Sequence, residues 1–418
     1  YPTSRIPVFL GGVILLVLTF VLCRRLGCGQ RASCGAAVLL AMSRPLMFTA
    51  IIARPDILCI LCGVTGVLVM LSIAGSVSGE SASADHPRWK IFVLLGGLCG
   101  LAALFHPFAL VFCLQAAAFA LFLPGTISQR IGRVIVLGTT AVLVAGLWLP
   151  LILAYPDEFQ SQFFANVLNR AGPGLPQRLL WPIPSFRNHA KLLWEFAGPF
   201  QCLLLIVSAV VGTPAVLAVG RRFPTIAART YIALLWSAGY LTATVAGLHP
   251  TKGYWLYPFV LALPAFAMIC DTVAGGGHCK RFGRVRGIAV WIAAFALMLP
   301  GGGLKSSWLY LRHWGDPQYH AGMFIRGVLS ELPREGLFLA DLSYVFDVYL
   351  SGRDTLLCQD RTVHWGDRQI LYSHLLLSWE GRNAGWAEQF HAKLDRSFGD
   401  RSQPQMCEVD VFVPAGEP

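Results

Sequence analysis

Long apolar runs alternate with short polar segments over the first three quarters of the chain. A helix of about 20 residues crosses the roughly 30 Å hydrocarbon core of a membrane. Each run is predicted to be helical, because lipid leaves backbone polar groups no other partners. We predict ten membrane spans, at 6–23, 34–53, 57–79, 91–105, 107–127, 134–156, 196–219, 230–248, 253–270 and 287–303.

Two of these runs are interrupted by polar residues. The run from 91 to 129 holds 39 positions without a formal charge but contains His106-Pro107, and the run 34–53 contains Arg44-Pro45. At a rise of about 1.5 Å per residue, the segment before His106 is too short to reach the outer surface. Charge and irregular backbone at that depth are tolerated where they line a protein cavity.

The pattern changes after residue 303, where charges return and apolar runs shorten. We predict helices at 317–331, 343–350 and 386–398, and strands at 336–341, 355–358 and 408–413. The predicted fold is an all-α polytopic membrane domain of about ten transmembrane helices, followed by a small α/β domain. The domain boundaries are 1–303, which includes a long loop at 157–195, and 304–418.

Composition and charge support this membrane topology. The chain is 55% hydrophobic and 13% charged, with a mean hydropathy of +0.59, which excludes a water-soluble enzyme or a disordered protein. One alternating set of loops holds 14 basic residues and the short loops of the other set hold three. Because basic loops stay cytoplasmic, we expect a multi-pass inner-membrane protein whose loop 157–195 and C-terminal domain lie outside. The net charge of +11 is therefore no indication of a nucleic-acid partner.

The cysteines and short motifs predict no metal or redox chemistry. Ten of the twelve cysteines lie in or beside the spans, including Cys59 and Cys62, which we interpret as structural. A disulfide between Cys358 and Cys407 is left open. The sequence contains no zinc or nucleotide-binding motif. No cofactor is predicted, and a divalent metal is left open. We expect the sequence, which begins at Tyr1, to be a fragment.

Polar residues at the outer ends of different spans are the candidate binding site. They are Arg44, Arg54, His106 and Lys252, with His249 and Tyr254 beside the last. Asp56, which follows Arg54-Pro55, is predicted to cap the next helix. Cationic groups next to lipid favour an anion whose tail stays in the bilayer, such as a polyprenyl phosphate. The cluster would neutralise the phosphate that leaves when a sugar is transferred.

The order of these motifs resembles a known enzyme family. The motifs are Ser4-Arg5-Ile6-Pro7, Arg24-Arg25-Leu26-Gly27, Ala53-Arg54-Pro55-Asp56, the turn at His106-Pro107, Lys252-Gly253-Tyr254-x-x-Tyr257-Pro258 and Leu263-Pro264-Ala265. Their order over residues 1–270 resembles the bacterial branch of the GT-C glycosyltransferases. These are related to dolichyl-phosphate-mannose–protein mannosyltransferases and to the aminoarabinose transferase of lipid A.

The resemblance implies an activity and a set of partners. It implies sugar transfer from a polyprenyl-phosphate donor to a lipid, glycan or protein acceptor at the outer face of the cell-envelope membrane. The family's catalytic carboxylate lies in the first outer loop, which we expect to precede Tyr1, so the catalytic residue is unknown. Arg54 and Lys252 are the implied donor-phosphate contacts. Members often carry Lys where this sequence has His106, whose charge depends on pH.

A second interpretation belongs to a different functional class. A polytopic transporter or lipid flippase also requires buried charges and outward loops. The sequence shows no internal repeat and has a sizeable polar C-terminal domain, which favours the enzyme over many transporter folds.

Overall fold

The computed structural model describes most of the chain. The described residues are 2–51, 55–77, 89–169, 171–172, 174–219, 225–248, 251–275, 280–299, 308–309, 311–358, 370–402 and 406–415. The chain divides into two compact units, Tyr1–Lys305 and Ser306–Pro418. The sequence places this boundary between residues 303 and 304.

The first unit is built from helices. In chain order they are α1 Pro2–Arg25, α2 Gln30–Met42, α3 Arg44–Ile51, α4 Asp56–Val77, α5 Trp89–Phe105, α6 Leu110–Phe122, α7 Ile127–Ala145, α8 Leu149–Ala154, α9 Pro156–Phe163, α10 Leu175–Leu180, α11 Ile183–Ala197, α12 Pro199–Val210, α13 Gly212–Val219, α14 Thr225–Ala246, α15 Leu256–Gly275 and α16 Lys280–Met298. Short 3₁₀ turns cover Pro107–Ala109, Gly146–Trp148 and Lys252–Trp255, and Phe164–Asn169 forms a π-helical turn.

Five stretches of the described helices are long and apolar enough to cross a membrane. They are Ile6–Arg25, Asp56–Ser76, Ile127–Ala154, Pro199–Ala218 and Lys252–Val273. A sixth is the bent pair formed by α2 and α3. The other four predicted spans fall on α14, which carries Arg229 among several polar residues, and on shorter apolar helices. The protein is therefore a predominantly helical, multi-pass membrane protein, with five or six of the ten predicted spans meeting both criteria.

Both predicted interruptions are breaks in helices. The axes of α2 and α3 differ by 62° at Ser43, where the residue before Arg44-Pro45 has extended backbone. The second break is at His106, because Pro107 has no backbone N–H to continue α5. The His106 ring caps the next turn by accepting a hydrogen bond from the Phe108 N–H at 3.0 Å.

Small residues allow α5 and α7 to pack closely. A side chain at Gly96 would approach the Leu137 carbonyl oxygen to 2.4 Å, and one at Gly100 would approach that of Ala141 to 2.5 Å. Glycines four residues apart on one helix face are typical of tightly packed membrane helices. The outer side of α7 remains open to lipid, since only 6% of the Ile127–Ala154 window is buried.

The second unit is a five-stranded mixed sheet with short helices. Its strands are β1 Phe338–Ala340, β2 Thr355–Leu357, β3 His374–Leu377, β4 Ala392–Phe398 and β5 Val409–Pro414, and its helices are α17 Ala321–Ser330, α18 Val345–Leu350, α19 Trp379–Asn383 and α20 Trp386–Gln389. The strand order is β2-β1-β3-β5-β4. The strand β1 runs parallel to β2 and β3, whereas β5 is antiparallel to β3 and β4. Hydrophobic clusters cover both faces of the sheet.

The predicted helix at 386–398 is wrong. The helix ends at Gln389, His391 has a positive φ of 49°, and the next seven residues form β4 beside β5. Charged residues on this edge strand give it the composition of a solvent-exposed helix, although such residues are also typical of sheet edges. The central strand β3 was not predicted, because its short apolar run has no alternating pattern.

Two arginines of the second unit, Arg382 and Arg401, share a pair of carboxylates, whereas the buried Arg353 donates only to backbone carbonyls and the Ser351 hydroxyl. Arg382 Nη1 donates to Asp410 Oδ2 at 2.8 Å, and its Nη2 donates to Glu408. Arg401 donates to the other oxygen of Asp410. Burial raises the pKa of Asp410, but hydrogen bonds from Ser397, Arg401 and Arg382 outweigh it, so the pKa lies below its ordinary value. Cys358 and Cys407 are free thiols.

Candidate functional site

The 3₁₀ turn Lys252–Trp255 brings together the predicted site residues that the structure describes. Successive side chains of this turn point to different neighbours. Lys252 lies against aromatic rings of α3 and α11. Gly253 packs so closely on Thr49 that a side chain there would come within 2.7 Å of its methyl group. Tyr254 faces His106. The turn therefore connects two groups of polar residues.

Two cations share one aromatic ring on the first side of the turn. Lys252 Nζ lies 5.6 Å from the ring centroid of Phe196 and 5.8 Å from that of Phe48. Arg44 Cζ lies 5.7 Å from the same Phe196 centroid. These distances allow cation–π attraction, which stabilises a cation without neutralising it. Within the described ranges, no carboxylate forms an ion pair with Arg44 or Lys252.

The backbone of α3 is held in place by a buried amide. Gln201 on α12 is fully buried, and its Oε1 accepts a hydrogen bond from the Arg44 N–H at 3.1 Å. This contact satisfies a backbone donor in the first turn of α3, where no earlier helical carbonyl is available. The α2–α3 break therefore fixes the position of Arg44 relative to α12.

A carboxylate and an imidazole meet on the other side of the turn. His106 Nε2 lies 3.2 Å from Asp56 Oδ1, and Asp56 is 2% exposed. Because His106 Nδ1 accepts from the Phe108 N–H, the neutral ring carries its proton on Nε2, directed at the carboxylate. The Tyr254 hydroxyl lies 3.4 Å from the same nitrogen, and its ring stacks on Phe108 with centroids 4.7 Å apart. Asp56 is the first residue of α4, where a negative charge interacts favourably with the helix dipole.

A buried histidine fixes the segment that leads into the turn. His189 on α11 is fully buried, with Nδ1 accepting from Trp255 Nε1 and Nε2 donating to the Gly247 carbonyl, both at 3.1 Å. Burial lowers the pKa of His189 to about 4, against a smaller opposing effect of the Gly247 hydrogen bond. Gly247 has a φ of +78° and lies so close to Ala171 and Arg178 that any side chain would collide with them. The neutral imidazole therefore connects α11 to Gly247 and to Trp255.

A cavity of about 690 Å³ lies beside His106 and Tyr254. Its walls are mainly apolar, with Leu110, Phe163, Val167, Leu168, Leu175 and Val245 among the lining residues. Its polar lining comes from His106, Thr251, Tyr254 and Arg178. This volume and composition suit a small-molecule or lipid site. Arg44, Lys252 and Asp56 do not line this cavity.

The sequence-predicted residues therefore form two adjacent groups. Arg44 and Lys252 meet at Phe196, while His106 and Tyr254 meet at the cavity wall. Arg54 and His249 lie outside the described residues, so their predicted roles stay predictions, as does capping by Asp56. Among the described residues, no group of three or more His, Cys, Asp or Glu side chains is arranged to hold a metal.

Three features of the site were not predicted from the sequence. The first is the pair of aromatic rings beside the cations, because Phe48 and Phe196 resemble ordinary apolar positions of helices. The second is the contact of Asp56 with His106, because Asp56 was predicted only to cap its helix. The third is Arg178, although it is the sole charged residue between positions 171 and 186, and this isolation is a signal in the sequence.

Comparison with known proteins finds a similar solved structure but no similar sequence family. No protein-family model and no curated protein matches the chain. The chain is similar to the crystal structure of ArnT from Cupriavidus metallidurans bound to undecaprenyl phosphate, with 14% identity and a TM-score of 0.48. The alignment covers 99% of this chain and 84% of that one. At this level the likeness carries no argument about activity.

Proposed function

We propose that this protein is a membrane glycosyltransferase that moves a sugar from a polyprenyl-phosphate donor to an acceptor. The observation that carries the proposal is the pair of cations around Phe196. Arg44 and Lys252 approach one ring from different elements and have no ion pair in the described part of the chain. Two neighbouring cations repel each other unless an anion joins them. A phosphate on a membrane lipid is the anion that suits this place.

The reaction that follows is a displacement at the anomeric carbon. An acceptor oxygen attacks that carbon and loses its proton to a general base, while the bond from the sugar to the phosphate oxygen breaks. Negative charge develops on the leaving phosphate. Arg44 and Lys252 stabilise this charge because they are already in place before the reaction. The donor's isoprenoid tail lies in the bilayer beside the apolar helices.

The His106–Asp56 pair has a positioning role in this proposal. Asp56 is buried, and Gly253 packs within 3.1 Å of its Oδ2, measured to an ideal Cβ. The carboxylate therefore lies between His106 and the backbone of Gly253. His106 uses both ring nitrogens within the protein, so we assign it no acid–base step. Tyr254 would contact the bound acceptor from the cavity wall.

The proposed function is tested by sugar transfer in liposomes that contain the purified full-length protein and radiolabelled polyprenyl-phosphate sugars. Lys252→Met and Arg44→Met are each expected to lower transfer about 10–100-fold, the range for a lost charge-assisted hydrogen bond. Lys191→Met is the matched control, because Lys191 is 76% exposed and pairs with Glu195. Its transfer rate is expected to equal that of the wild type.

Two outcomes would contradict the proposal. One is transfer that both Met variants retain at wild-type rate. The other is movement of labelled lipid across the bilayer without cleavage of the sugar–phosphate bond, which would identify a flippase or transporter. Varying the sugar and offering lipid, glycan and protein acceptors in the same assay would identify the substrates. A protease-protection assay of residues 306–418 would test the predicted outer location of the second unit.

A further inference from the structure

Arg178 lines the 690 Å³ cavity, and part of its guanidinium group has no hydrogen-bond partner among the described residues. It lies in the last turn of α10, lines the cavity and is 8% exposed. Its Nη1 donates to the carbonyls of Ala171 at 3.1 Å and Val245 at 3.3 Å. Its Nε is buried without a hydrogen-bond partner, and no described residue bonds to Nη2. One edge of the guanidinium is therefore used by the protein, and the Nε–Nη2 edge is not.

The unbonded edge has the geometry of an oxyanion receptor. Nε–H and the adjacent Nη2–H point in parallel and match two oxygens of a phosphate or carboxylate. The described residues offer Arg178 no carboxylate within ion-pair distance. Burial lowers the pKa of Arg178, yet an arginine side chain remains protonated in proteins. A buried positive charge without a counterion is costly, and a bound oxyanion would remove that cost.

The rest of the cavity indicates what carries the oxyanion. Most of its lining side chains are apolar, including Phe163, Leu168 and Leu175. Such walls favour a hydrocarbon tail, while Arg178 and Thr251 supply polar contacts. A free inorganic anion would leave these walls without a partner. The combination favours an amphiphile with a phosphate head group.

We propose that Arg178 binds the phosphate oxyanion of a lipid that occupies this cavity. The site is separate from the Arg44–Lys252 pair, which does not line the cavity. The inference deepens the proposed function, and it rests on that function only in treating the lipid as a reactant. The phosphate belongs either to the sugar donor or to a phosphorylated lipid acceptor, and the same guanidinium edge would bind both.

Direct binding of dodecyl phosphate tests the proposal without any need for transfer. The purified chain in nanodiscs is titrated with dodecyl phosphate and, separately, with the uncharged dodecyl maltoside. We expect at least tenfold preference for the phosphate, lost in Arg178→Met and weakened about tenfold in Arg178→Lys, which keeps the charge but not the paired donors. Equal affinity for both probes, or wild-type affinity in both variants, would overturn the proposal.

A second variant keeps the test valid if changes at Arg178 impair folding. Leu175 lies one turn before Arg178 on α10 and lines the same cavity. Leu175→Glu places a carboxylate where it can pair with Arg178 at a spacing of i to i+3. We expect it to weaken dodecyl phosphate binding at least tenfold, with the matched Leu175→Gln within twofold of the wild type. Equal binding by the Glu and Gln variants would show that Arg178 serves only its backbone carbonyls.

Competition identifies the source of the phosphate. If polyprenyl phosphate displaces dodecyl phosphate and depends on Arg178, the oxyanion belongs to the donor. If polyprenyl phosphate binds alongside dodecyl phosphate and depends on Lys252, it belongs to the acceptor. Either result supports an oxyanion at Arg178, but the first would also overturn the placement of the donor phosphate at Arg44 and Lys252. Failure of sugar transfer would overturn the proposed function and leave these binding results unchanged, whereas loss of the binding preference would overturn this inference alone.

Discussion

Two groups of cations in this protein, one in each unit, have different kinds of partner. In the second unit, Arg382 and Arg401 donate to the carboxylates of Asp410 and Glu408. In the first unit, Arg44 and Lys252 meet at an aromatic ring, and Arg178 bonds only to carbonyl oxygens among its described neighbours. Among the described residues, the Arg382–Arg401 group therefore has its counterions, whereas Arg44, Lys252 and Arg178 have none. The buried Arg353 of the second unit also lacks a carboxylate partner, but it differs from Arg178 because its Nε, Nη1 and Nη2 atoms all donate hydrogen bonds within the protein.

This difference separates a structural role from a binding role. A paired arginine already has its anion, so the sheet edge gains order and offers little to a ligand. Removing one partner of a buried pair leaves an uncompensated charge and is strongly destabilising. An unpaired cation beside lipid or a cavity is stabilised when an anion arrives from outside. The first unit is therefore the better candidate for recognition of a phosphate.

The largest expected effect comes from giving the cation pair an internal counterion. Phe196→Glu places a carboxylate between Arg44 and Lys252, where it competes with a lipid phosphate for both charges. We expect sugar transfer to fall at least 100-fold. The matched Phe196→Gln variant removes the ring without adding charge and is expected to lose less than tenfold. Equal losses in the two variants would show that the ring matters and the unpaired charges do not.

The reverse change breaks a paired cation in the second unit. Asp410→Asn leaves Arg382 and Arg401 without one of their carboxylates. We expect the free energy of unfolding of this unit to fall by about 3 kcal/mol, measured by hydrogen exchange of β4 and β5 amides in the full chain. Asp395→Asn is the control, because its exposed pair with Arg396 contributes less than about 1 kcal/mol. Unchanged exchange in Asp410→Asn would remove the contrast between the units.

Acid should destabilise the first unit before the second. The pKa of His189 is lowered to about 4 in the folded protein, whereas an unfolded histidine titrates near 6.5. The unfolded state therefore binds the proton first, and stability falls as the pH drops from about 6.5 towards 4. Linkage gives a loss of about 2 kcal/mol between pH 7 and pH 5.

The pKa of Asp410 is lowered instead, so its contribution is present above about pH 4 and lost as the pH falls through its folded value. Hydrogen exchange of α11 and of β5 between pH 7 and pH 5 would compare the two units, after correction for the intrinsic pH dependence of exchange. His189→Asn is expected to remove most of the pH dependence in α11. Loss of protection in β5 first would contradict the assigned order.

The smallest expected effect concerns the Tyr254 hydroxyl. Its distance of 3.4 Å from His106 Nε2 makes this a weak hydrogen bond, while the ring keeps its stacking on Phe108. Tyr254→Phe is expected to change transfer less than threefold, and Tyr254→Ala to reduce it more through the lost ring. A large loss in Tyr254→Phe would show that the hydroxyl contacts the reacting groups.

The sequence predicted the long apolar helices and both helix breaks, but not α9, α10 and α11, which lie almost wholly in the segment predicted as the loop 157–195. Backbone polar groups in lipid must be hydrogen-bonded within the protein, so the apolar runs are expected to be helical. Pro45 and Pro107 mark where those helices break. The edge strand after His391 was mispredicted as a helix. Its strand conformation depends on pairing with Val409–Pro414, and a local sequence pattern does not report that pairing.

The site was predictable only in part, for a similar reason. Charges within apolar runs identified Arg44, His106 and Lys252, since such residues are costly in a membrane. Their division into two groups depends on the 3₁₀ turn, which points Lys252 and Tyr254 to different sides. The importance of Arg178 depends on its unbonded edge, and no local sequence pattern reports hydrogen bonds that are missing.

The most direct test of the central claim is a cryo-electron microscopy structure of the chain in nanodiscs with undecaprenyl phosphate. We expect phosphate density beside Phe196, within hydrogen-bond distance of Lys252 Nζ and the Arg44 guanidinium. Density for the phosphate in contact with neither side chain, in a map that resolves both, would contradict it.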